Sequence, residues 1–477
     1  MYFCSHYLQN LFTIMNKLNQ KFIYFICLVS AMGGLLFGYD WVVIGGAKPF
    51  YELFFGISND PIMQGVAMTT ALVGCLIGAM VAGAMADKYG RKPLLILAAM
   101  LFTLSAVATG IFNDFTLFNI ARFVGGIGIG IASALSPMYI AEISPTEIRG
   151  KLVSLNQMTI VLGILGAQIA NWQIAEPVPE AFTTADILAS WNGQMGWRWM
   201  FWAEAIPAGL FLVLAFFIPE SPRWQMMKSM EAQAKKTLTH IGGEAYAIKE
   251  MESSNASTQA DASIEKAGLR TLFTRKYAAV LTLGIIVAVF QQWCGTNVIF
   301  NYAQEIFSAA GYSVGDVLFN IVITGVANVI FTIVALFTID RWGRRSLMLF
   351  GSISLAIIYL ILGTCYHYQI TGFFMVILVV AAISAYAMTL GPVTWVLLAE
   401  IFPNRIRGIA MATCTFALWA GCCTLTFSFP PMNAALGSSG SFWIYSAICF
   451  AGYFYLLRRC PETKGVSLEE LEKKLVK

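Results

Sequence analysis

Long apolar stretches alternate with short polar loops along almost the whole chain. Each stretch is close to or above the length of about 20 residues that an α-helix needs to cross the hydrocarbon core of a bilayer. The pattern predicts twelve spans, six before a polar central segment and six after it, at residues 22–46, 63–86, 93–112, 115–140, 152–175, 199–218, 278–302, 317–339, 347–368, 372–398, 409–429 and 441–459. The chain is therefore predicted to be an all-α integral membrane protein.

The composition supports this class and argues against an ordinary soluble protein. Hydrophobic residues make up 58% of the 477 residues and charged residues only 12%, whereas about 25% charged residues is usual in soluble domains. Phe and Gly are abundant, which suits closely packed membrane helices. The cysteines lack metal-ligand spacing and the three histidines are scattered. We therefore expect no metal, no cofactor and no enzymatic reaction.

The distribution of Lys and Arg predicts the orientation of the chain in the membrane. If the loop after the first span is outside, 27 of the 30 basic residues fall on the inner side. Both termini are then cytoplasmic, in a multi-pass protein of the plasma (inner) membrane. The expected units are a cytoplasmic tail, an N-terminal six-helix bundle, a cytoplasmic helical linker, a C-terminal six-helix bundle and a second tail, at residues 1–21, 22–218, 219–276, 277–459 and 460–477. Residues 1–14 are interpreted as a start-site overcall or a floppy tail, because Met15 begins a plausible start before the first apolar run.

Three loops of the first half recur in the same order in the second half. The pairs are DKYGRK (87–92) with DRWGRR (340–345), EISPTEIRGK (142–151) with EIFPNRIRGI (400–409), and PESPRW (219–224) with PETKG (461–465). This order indicates two six-helix bundles related by duplication. Transporters built from such repeats bind their substrate near the middle of the membrane, between the repeats.

The charged residues of these loops are predicted to form an ion-pair lattice that latches the two bundles together on the inner side. Surface ion pairs are individually weak, but a network can bias a two-state equilibrium. The alternative is that these charges only set the topology and solvate the loops. The expected latch residues are Asp87, Arg91, Glu142, Arg149, Glu220, Asp340, Arg344, Glu400, Arg407 and Glu462.

Together with GWRWMF at 196–201, these loops resemble those of the sugar porter family of the major facilitator superfamily. The resemblance extends from Phe37 to Gly465 and is strongest to proton-coupled monosaccharide symporters for xylose or hexose. It implies twelve helices in two pseudo-symmetric bundles, with a small cytoplasmic helical domain between them. It also implies alternating-access transport of a monosaccharide.

Uncharged amides inside apolar helices are candidates for a sugar site, because a buried amide needs hydrogen-bond partners. Gln291, Asn297 and Asn301 are six and then four residues apart, roughly on one helix side. The alternative is hydrogen bonding between helices. With the resemblance, the expected substrate-binding residues are Gln157, Gln291, Gln292, Asn297, Trp395, Phe37, Asn301, Tyr302 and Trp419.

The chain departs from the family pattern on the C-terminal side of this site. Leu418 and Cys422 stand where members often have Gln or Asn, and Ile164 stands where some proton-coupled members have Gln. Trp395 is expected after a helix break at Gly391–Pro392. The choice between a pentose and a hexose is left open.

An acid and a base are predicted to meet deep in the membrane. Asp40 lies eight residues before Lys48 at the outer end of the first span, and Arg122 lies eight residues after Asp114 at the outer start of the fourth. At about 1.5 Å per residue, both lie about 12 Å from the outer surface. A lone charge there costs about 2.5–3.5 kcal/mol, so each needs a partner. We expect a proton-coupling pair; the alternative is a static ion pair that tethers two helices.

Two other functions are weighed. One is a facilitative uniporter, which the acid at position 40 disfavours, because facilitative members typically have Asn there. The other is a non-transporting sugar sensor, which would usually carry a longer tail after PETKG.

GGIGIG at 125–130 is expected to serve close helix packing and not dinucleotide binding, because no strand precedes it. The expected partners are a monosaccharide, a proton and the lipid bilayer, without nucleic acid, and the chain is expected to be a monomer.

Overall fold

The computed structural model is almost entirely α-helical. It describes residues 18–146, 148–179, 181–263, 272–312, 314–403, 406–466 and 470–471, and this part contains no β-strand. Segment 1–14, interpreted above as a start-site overcall or a floppy tail, lies outside the described residues.

The first half consists of five long helices, a short helix and a sixth long helix. Its helices are α1 (Gln20–Phe54), α2 (Pro61–Tyr89), α3 (Arg91–Ile111), α4 (Phe115–Ile143), α5 (Arg149–Ile174), α6 (Thr184–Ala189) and α7 (Trp197–Ala215). Asp60 and Asp114 cap the starts of α2 and α4, because their carboxylates accept hydrogen bonds from backbone N–H groups of the first turn. A wide π turn, Asn192–Gly196, leads directly into α7.

Three shorter helices connect the halves. They are α8 (Pro222–Met227), α9 (Glu231–Gly242) and α10 (Glu244–Ser263). They lie at the end of the molecule where α1 begins, since the backbone N–H of Asn19 donates to the carbonyl of Ile241 at 2.8 Å. We call this end the linker face, and the opposite end, where α1 ends and α2 begins, the loop face.

In the second half, two of the predicted spans are interrupted. The helices are α11 (Arg275–Trp293), α12 (Thr296–Asn301), α13 (Ala303–Ala309), α14 (Val314–Trp342), α15 (Arg344–His367), α16 (Phe373–Met388), α17 (Leu390–Ile401) and α18 (Arg407–Arg459). The span predicted at 278–302 breaks between α11 and α12, where Gly295 has a φ of +89°.

The break predicted at Gly391–Pro392 is displaced. The interruption lies at Thr389, with φ −127° and ψ −94°, and α17 begins at Leu390. Pro392 is therefore in the first turn of α17. A proline is tolerated there because the first N–H groups of a helix have no intrahelical acceptor.

Eleven helices in the described part of the chain are long and apolar enough to cross a membrane. The last of them, α18, has 53 residues and is non-helical at Gly437, where φ is 68° and ψ is 174°. Gly437 lies between the spans predicted at 409–429 and 441–459, so α18 supplies two crossings. The predicted fold class, an all-α membrane protein of two six-helix bundles, is confirmed.

Small residues let the helices pack closely, and large exposed apolar residues form an outer surface suited to a bilayer. A Cβ added at Gly126 would lie 2.0 Å from the carbonyl oxygen of Ala71 on α2. The close helix packing expected for residues 125–130 is thereby confirmed. Ile206 and Phe373 are 76% and 72% exposed, and such large apolar side chains require an apolar surrounding such as lipid.

Candidate functional site

Asp40 and Arg122 form a buried ion pair between α1 and α4. The Arg122 guanidinium donates to Asp40 Oδ1. Each residue is only 3% exposed, so the pair is shielded from water and its attraction is little screened. The contact that residue counting predicted is present, while its role in proton coupling stays a prediction.

A second buried acid, Glu204 on α7, lies beside this pair and was missed by the sequence analysis. Glu204 is 2% exposed, and its side chain interacts with those of Asp40 and Arg122. The Glu204 carboxyl thus lies against that of Asp40, whereas the ion pair of Arg122 is with Asp40. The criterion that found Asp40, an acid inside an apolar span, also fits Glu204 in the span predicted at 199–218.

This acid–base cluster keeps unused hydrogen-bonding capacity. Asp40 Oδ2, Glu204 Oε1 and Arg122 Nε have no hydrogen-bond partner among the described residues. Buried polar atoms of this kind are unfavourable unless a proton or another partner satisfies them. The cluster therefore offers carboxylate oxygens that accept no hydrogen bond in this structure and can take up a proton.

A small cavity connects the cluster with the second bundle. Its lining includes Asp40, Trp41 and Arg122 from the first bundle and Asn301 from α12. Asn301 is 3% exposed. A predicted substrate-binding residue and the predicted proton-coupling pair therefore border the same space.

The amides of α11 and α12 form one directed chain of hydrogen bonds. Asn297 donates to Gln292 Oε1, Gln292 donates to Gln291 Oε1 at 2.6 Å, and Gln291 donates to the hydroxyl of Tyr386 on α16 at 2.9 Å. The expectation that these amides share one side of a continuous helix is wrong, because the helix breaks at Gly295. The break nevertheless brings Asn297 back onto Gln292.

Three aromatic rings meet where the bundles face each other near mid-helix. Phe37 and Trp41 of α1 and Trp419 of α18 have ring centroids 5.7, 5.9 and 6.0 Å apart. Such a group offers the apolar faces that the C–H side of a sugar requires. Trp41 was not among the predicted residues, although it directly follows Asp40 in the sequence.

The other predicted substrate-binding residues belong neither to the amide chain nor to this group of aromatic rings. The Tyr302 ring is 1% exposed and its hydroxyl donates to the carbonyl of Thr426 at 2.7 Å. Trp395 on α17 is 38% exposed, and Gln157 on α5 is half-buried. A sugar-binding role for Gln157 and Trp395 stays a prediction. Leu418, the residue before Trp419, is also buried, so this part of α18 presents apolar side chains.

At the linker face, Arg91 joins several loops of the first bundle. Its guanidinium donates to Glu142 at 2.8 Å and lies 3.6 Å from Asp87. The second oxygen of Glu142 accepts from the Ser221 hydroxyl at 2.5 Å. Glu220 accepts from the backbone N–H of Arg91 at 2.9 Å and so caps α3. Burial raises the pKa of Glu220 above its ordinary value, although its hydrogen bonds from backbone N–H groups oppose the shift.

The second bundle repeats this network with the equivalent residues. Arg344 donates to Glu400 at 2.9 Å and to Asp340 at 2.9 Å. Glu400 accepts from the Thr463 hydroxyl at 2.5 Å, as Glu142 does from Ser221. Glu462 accepts from the backbone N–H of Arg344 at 3.0 Å. The internal repeat of the sequence is thus an internal repeat of hydrogen bonds.

The remaining two predicted latch residues bond to their own loops. Arg149 donates to the hydroxyl of Thr146 at 3.3 Å, and Arg407 donates to the carbonyl of Phe402 at 3.1 Å. The bonds found for the ten latch residues thus join a bundle only to itself, to the linker segment that follows it or to the tail, and they do not join the two bundles. Pairing across the bundles stays a prediction for a different conformation.

Comparisons with known proteins agree with this architecture. A family model described as Sugar (and other) transporter matches residues 26–475. The chain is 38% identical to the D-xylose-proton symporter of Escherichia coli (strain K12), over 95% of this chain and 96% of that protein. It is 35% identical to the Arabinose-proton symporter of Bacillus subtilis (strain 168), over 96% of each chain.

A solved structure also matches. It is the inward open conformation of the xylose transporter XylE from E. coli, with a TM-score of 0.82 and 36% identity, covering 95% of this chain and all of the other. The family match extends over nearly the whole sequence, and the fold and the repeated loops agree with it. The chain belongs to the Sugar (and other) transporter family.

Proposed function

We propose that this protein is a secondary active transporter that takes up a monosaccharide together with a proton by alternating access. The observation that carries the proposal is the buried cluster of Asp40, Glu204 and Arg122. Its Asp40 and Arg122 line the same cavity as Asn301 of the second bundle. Intramembrane ionisable residues commonly mark proton pathways. The names of the relatives, proton symporters for xylose and arabinose, support the same function.

In the proposed cycle, a proton binds to Asp40 while the site faces outward and releases Arg122 from the ion pair. The change in pairing and the binding of sugar together favour closure over the site. After the site opens inward, the proton leaves and the Asp40–Arg122 pair forms again. A proton crossing 100 mV gains about 2.3 kcal/mol, which can hold a sugar about fifty-fold uphill.

The proposed sugar site combines amides and aromatic rings. Gln291, Gln292 and Asn297 offer donors and acceptors to the hydroxyl groups, and Phe37 and Trp419 offer apolar faces. Gln157, Trp395, Asn301 and Tyr302 complete the proposed set. The substrate class is a pentose or a hexose.

The membrane arrangement is part of the proposal. We place the linker face in the cytoplasm and the loop face outside, in the plasma (inner) membrane, because most of the basic residues that the structure describes lie on the linker side. Residues 22–218 and 277–459 then act as the two moving units, with the linker at 219–276 between them. We propose that a monomer is the transporting unit.

Purified protein in liposomes tests the proposal, with labelled xylose, arabinose, galactose and glucose supplied with and without an inward proton gradient. We expect accumulation only with the gradient. Asp40→Asn should abolish accumulation while counterflow exchange continues, because sugar binding and the conformational change remain. Accumulation that survives Asp40→Asn or an uncoupler would show that transport is not coupled through this acid.

The same assay distinguishes the two rival functions. A facilitative uniporter would equilibrate sugar equally with and without the gradient, and the Asp40–Arg122 pair would then be a static tether. A sugar sensor would bind sugar without any flux into the liposomes.

A further inference from the structure

A buried ion cluster lies between the two bundles at the loop face. The Lys48 ammonium donates to Glu305 and lies 2.8 Å from Glu52. Lys48 and Glu52 belong to α1 of the first bundle, whereas Glu305 belongs to α13, which follows α12 in the second bundle. The Lys48–Glu305 pair therefore joins the bundles, while the Lys48–Glu52 pair stays within one helix.

The cluster is well shielded from solvent. Lys48 is 2% exposed and Glu52 is 7% exposed, and the Glu305 side chain is 26% exposed. Two carboxylates surround one ammonium, so the loss of Lys48 would leave two acids facing each other in a site with little water. A buried charge without its partner is strongly unfavourable.

The surroundings of Lys48 also join the bundles. A Cβ at Gly45, one turn earlier on α1, would lie 3.0 Å from the carbonyl oxygen of Asn301. The Tyr302 ring centroid is 5.4 Å from Lys48 Nζ, a cation–π distance, and the Tyr302 hydroxyl donates to the Thr426 carbonyl on α18. Lys48 thus packs onto Tyr302, whose position in the second bundle is fixed by its hydrogen bond to α18.

We infer that Lys48 and Glu305 form an outer latch that holds the loop face closed and stabilises the inward-facing state. When the loop face opens, α1 must separate from α13 and this pair must break. The charges then regain water, which compensates for the lost attraction and keeps the latch releasable. At the linker face, by contrast, the networks of Arg91 and Arg344 are each internal to one bundle and leave that face free to open.

Thiol labelling measures the opening of the loop face directly. Ile44 lies one turn before Lys48, is 2% exposed and borders the cavity beside Asp40. An introduced Ile44→Cys thiol is labelled from the outside with a membrane-impermeant maleimide on the full chain in liposomes. The chain without this substitution gives the background from the native cysteines. Protein inserted inside-out exposes its linker face to the outer solution, and a separate membrane-impermeant, reducible label on that face measures its share, which is subtracted.

Four variants in this background separate the latch from its neighbours. We expect Lys48→Met to speed labelling at least tenfold, and Glu305→Gln about three- to tenfold, because both break the pair between bundles. Glu52→Gln should leave the rate within twofold, because its bond lies within α1. Lys48→Met with Glu305→Gln should label more slowly than Lys48→Met alone, because one of the two unpaired acids is removed.

Lys235→Met is the matched control. Lys235 pairs with Glu244 at 2.9 Å within the linker, where the two side chains are 46% and 69% exposed, and its loss should leave the rate unchanged. The latch is overturned if Glu305→Gln labels no faster than Lys235→Met, or if Glu52→Gln is as fast as Glu305→Gln. Glu305→Gln decides the result if Lys48→Met does not fold, because Glu305 is the more exposed partner and its substitution disturbs the fold less.

The latch rests on the alternating access proposed above. Labelling is measured without sugar and without a proton gradient, and it does not depend on Asp40 being the proton site. A failure of the latch is therefore distinguishable from a failure of proton coupling, which the accumulation assay reports.

Discussion

Glu462 caps the start of α15 in the same way that Glu220 caps the start of α3. Each carboxylate accepts the first backbone N–H of its helix, at 3.0 Å from Arg344 and 2.9 Å from Arg91. Each also takes the space where a Cβ would stand on the glycine before the helix, and Gly343 and Gly90 have φ values of +87° and +100°. The two loops therefore fix equivalent helices in the two bundles.

This equivalence predicts equal losses of stability. Glu220→Gln and Glu462→Gln should each lower the free energy of unfolding by about 1–2 kcal/mol, because each weakens a charged cap at a helix start. The double variant should lose the sum, since the sites lie in different bundles. Thermal unfolding of the purified protein, followed by tryptophan fluorescence, measures this. Glu244→Gln on the exposed linker surface is the control, with no resolvable change. A clear loss for only one of the two caps would contradict the equivalence.

The buried cluster predicts that Arg122 matters more for stability than either acid. Arg122→Met leaves Asp40 buried without its cation and beside the Glu204 carboxyl, and should destabilise the protein by about 3–5 kcal/mol. Asp40→Asn should cost less, because the amide oxygen that replaces the carboxylate can still accept a hydrogen bond from the Arg122 guanidinium. The double variant Arg122→Met with Asp40→Asn should recover part of the loss. Unfolding midpoints compare the variants, and an Arg122→Met protein as stable as Asp40→Asn would contradict this ranking.

The hydrogen-bond chain predicts a role for Tyr386 in sugar affinity. Tyr386→Phe removes the group that accepts from Gln291, so the amide chain loses its fixed orientation. We expect the Kd for the transported sugar to rise about three- to tenfold, the effect of one hydrogen bond. Titration calorimetry on the purified protein measures the Kd. Tyr366→Phe is the matched control, because the Tyr366 hydroxyl donates to the Ile306 carbonyl at 2.6 Å, outside the amide chain. Equal Kd values for the two variants would exclude this role.

The aromatic group predicts energetic coupling between the bundles in sugar binding. Trp41→Ala and Trp419→Ala should each weaken binding, and the double variant should lose less than the sum, with a coupling of about 0.5–1.5 kcal/mol. Sugar-dependent tryptophan quenching measures the Kd values. Trp199→Ala, which removes a ring that is 47% exposed on α7, should leave the Kd unchanged. Strict additivity of the two substitutions would show that the rings bind sugar independently.

Span positions and the ion pair could be predicted because each depends on local pattern or on length. An apolar run long enough to span a bilayer must be helical there, since its backbone groups need partners within the segment. The depth of Asp40 and Arg122 followed from the rise per residue along two helices. Glu204 satisfies the same criterion, an acid inside an apolar span, and is therefore equally predictable from the sequence.

Other features depend on contacts that a single sequence does not contain. The interruption at Thr389 lies before Gly391–Pro392, because a proline can occupy the first turn of a new helix. The bond from Asn297 to Gln292 exists only because Gly295 turns the chain back. Lys48 and Glu305 are 257 residues apart in sequence, and neither lies in a motif. Such contacts are set by the packing of whole helices.

Asp40 and Lys48 lie on the same helix and bind different bundles. With about 100° per residue, eight residues place the two side chains about 80° apart around the axis of α1. A rotation of α1 as a rigid rod therefore cannot leave one contact unchanged while it alters the other. A change of pairing at Asp40, deep in the membrane, is therefore coupled to the Lys48–Glu305 contact near the surface. A probe on the exposed end of α1 should register both changes.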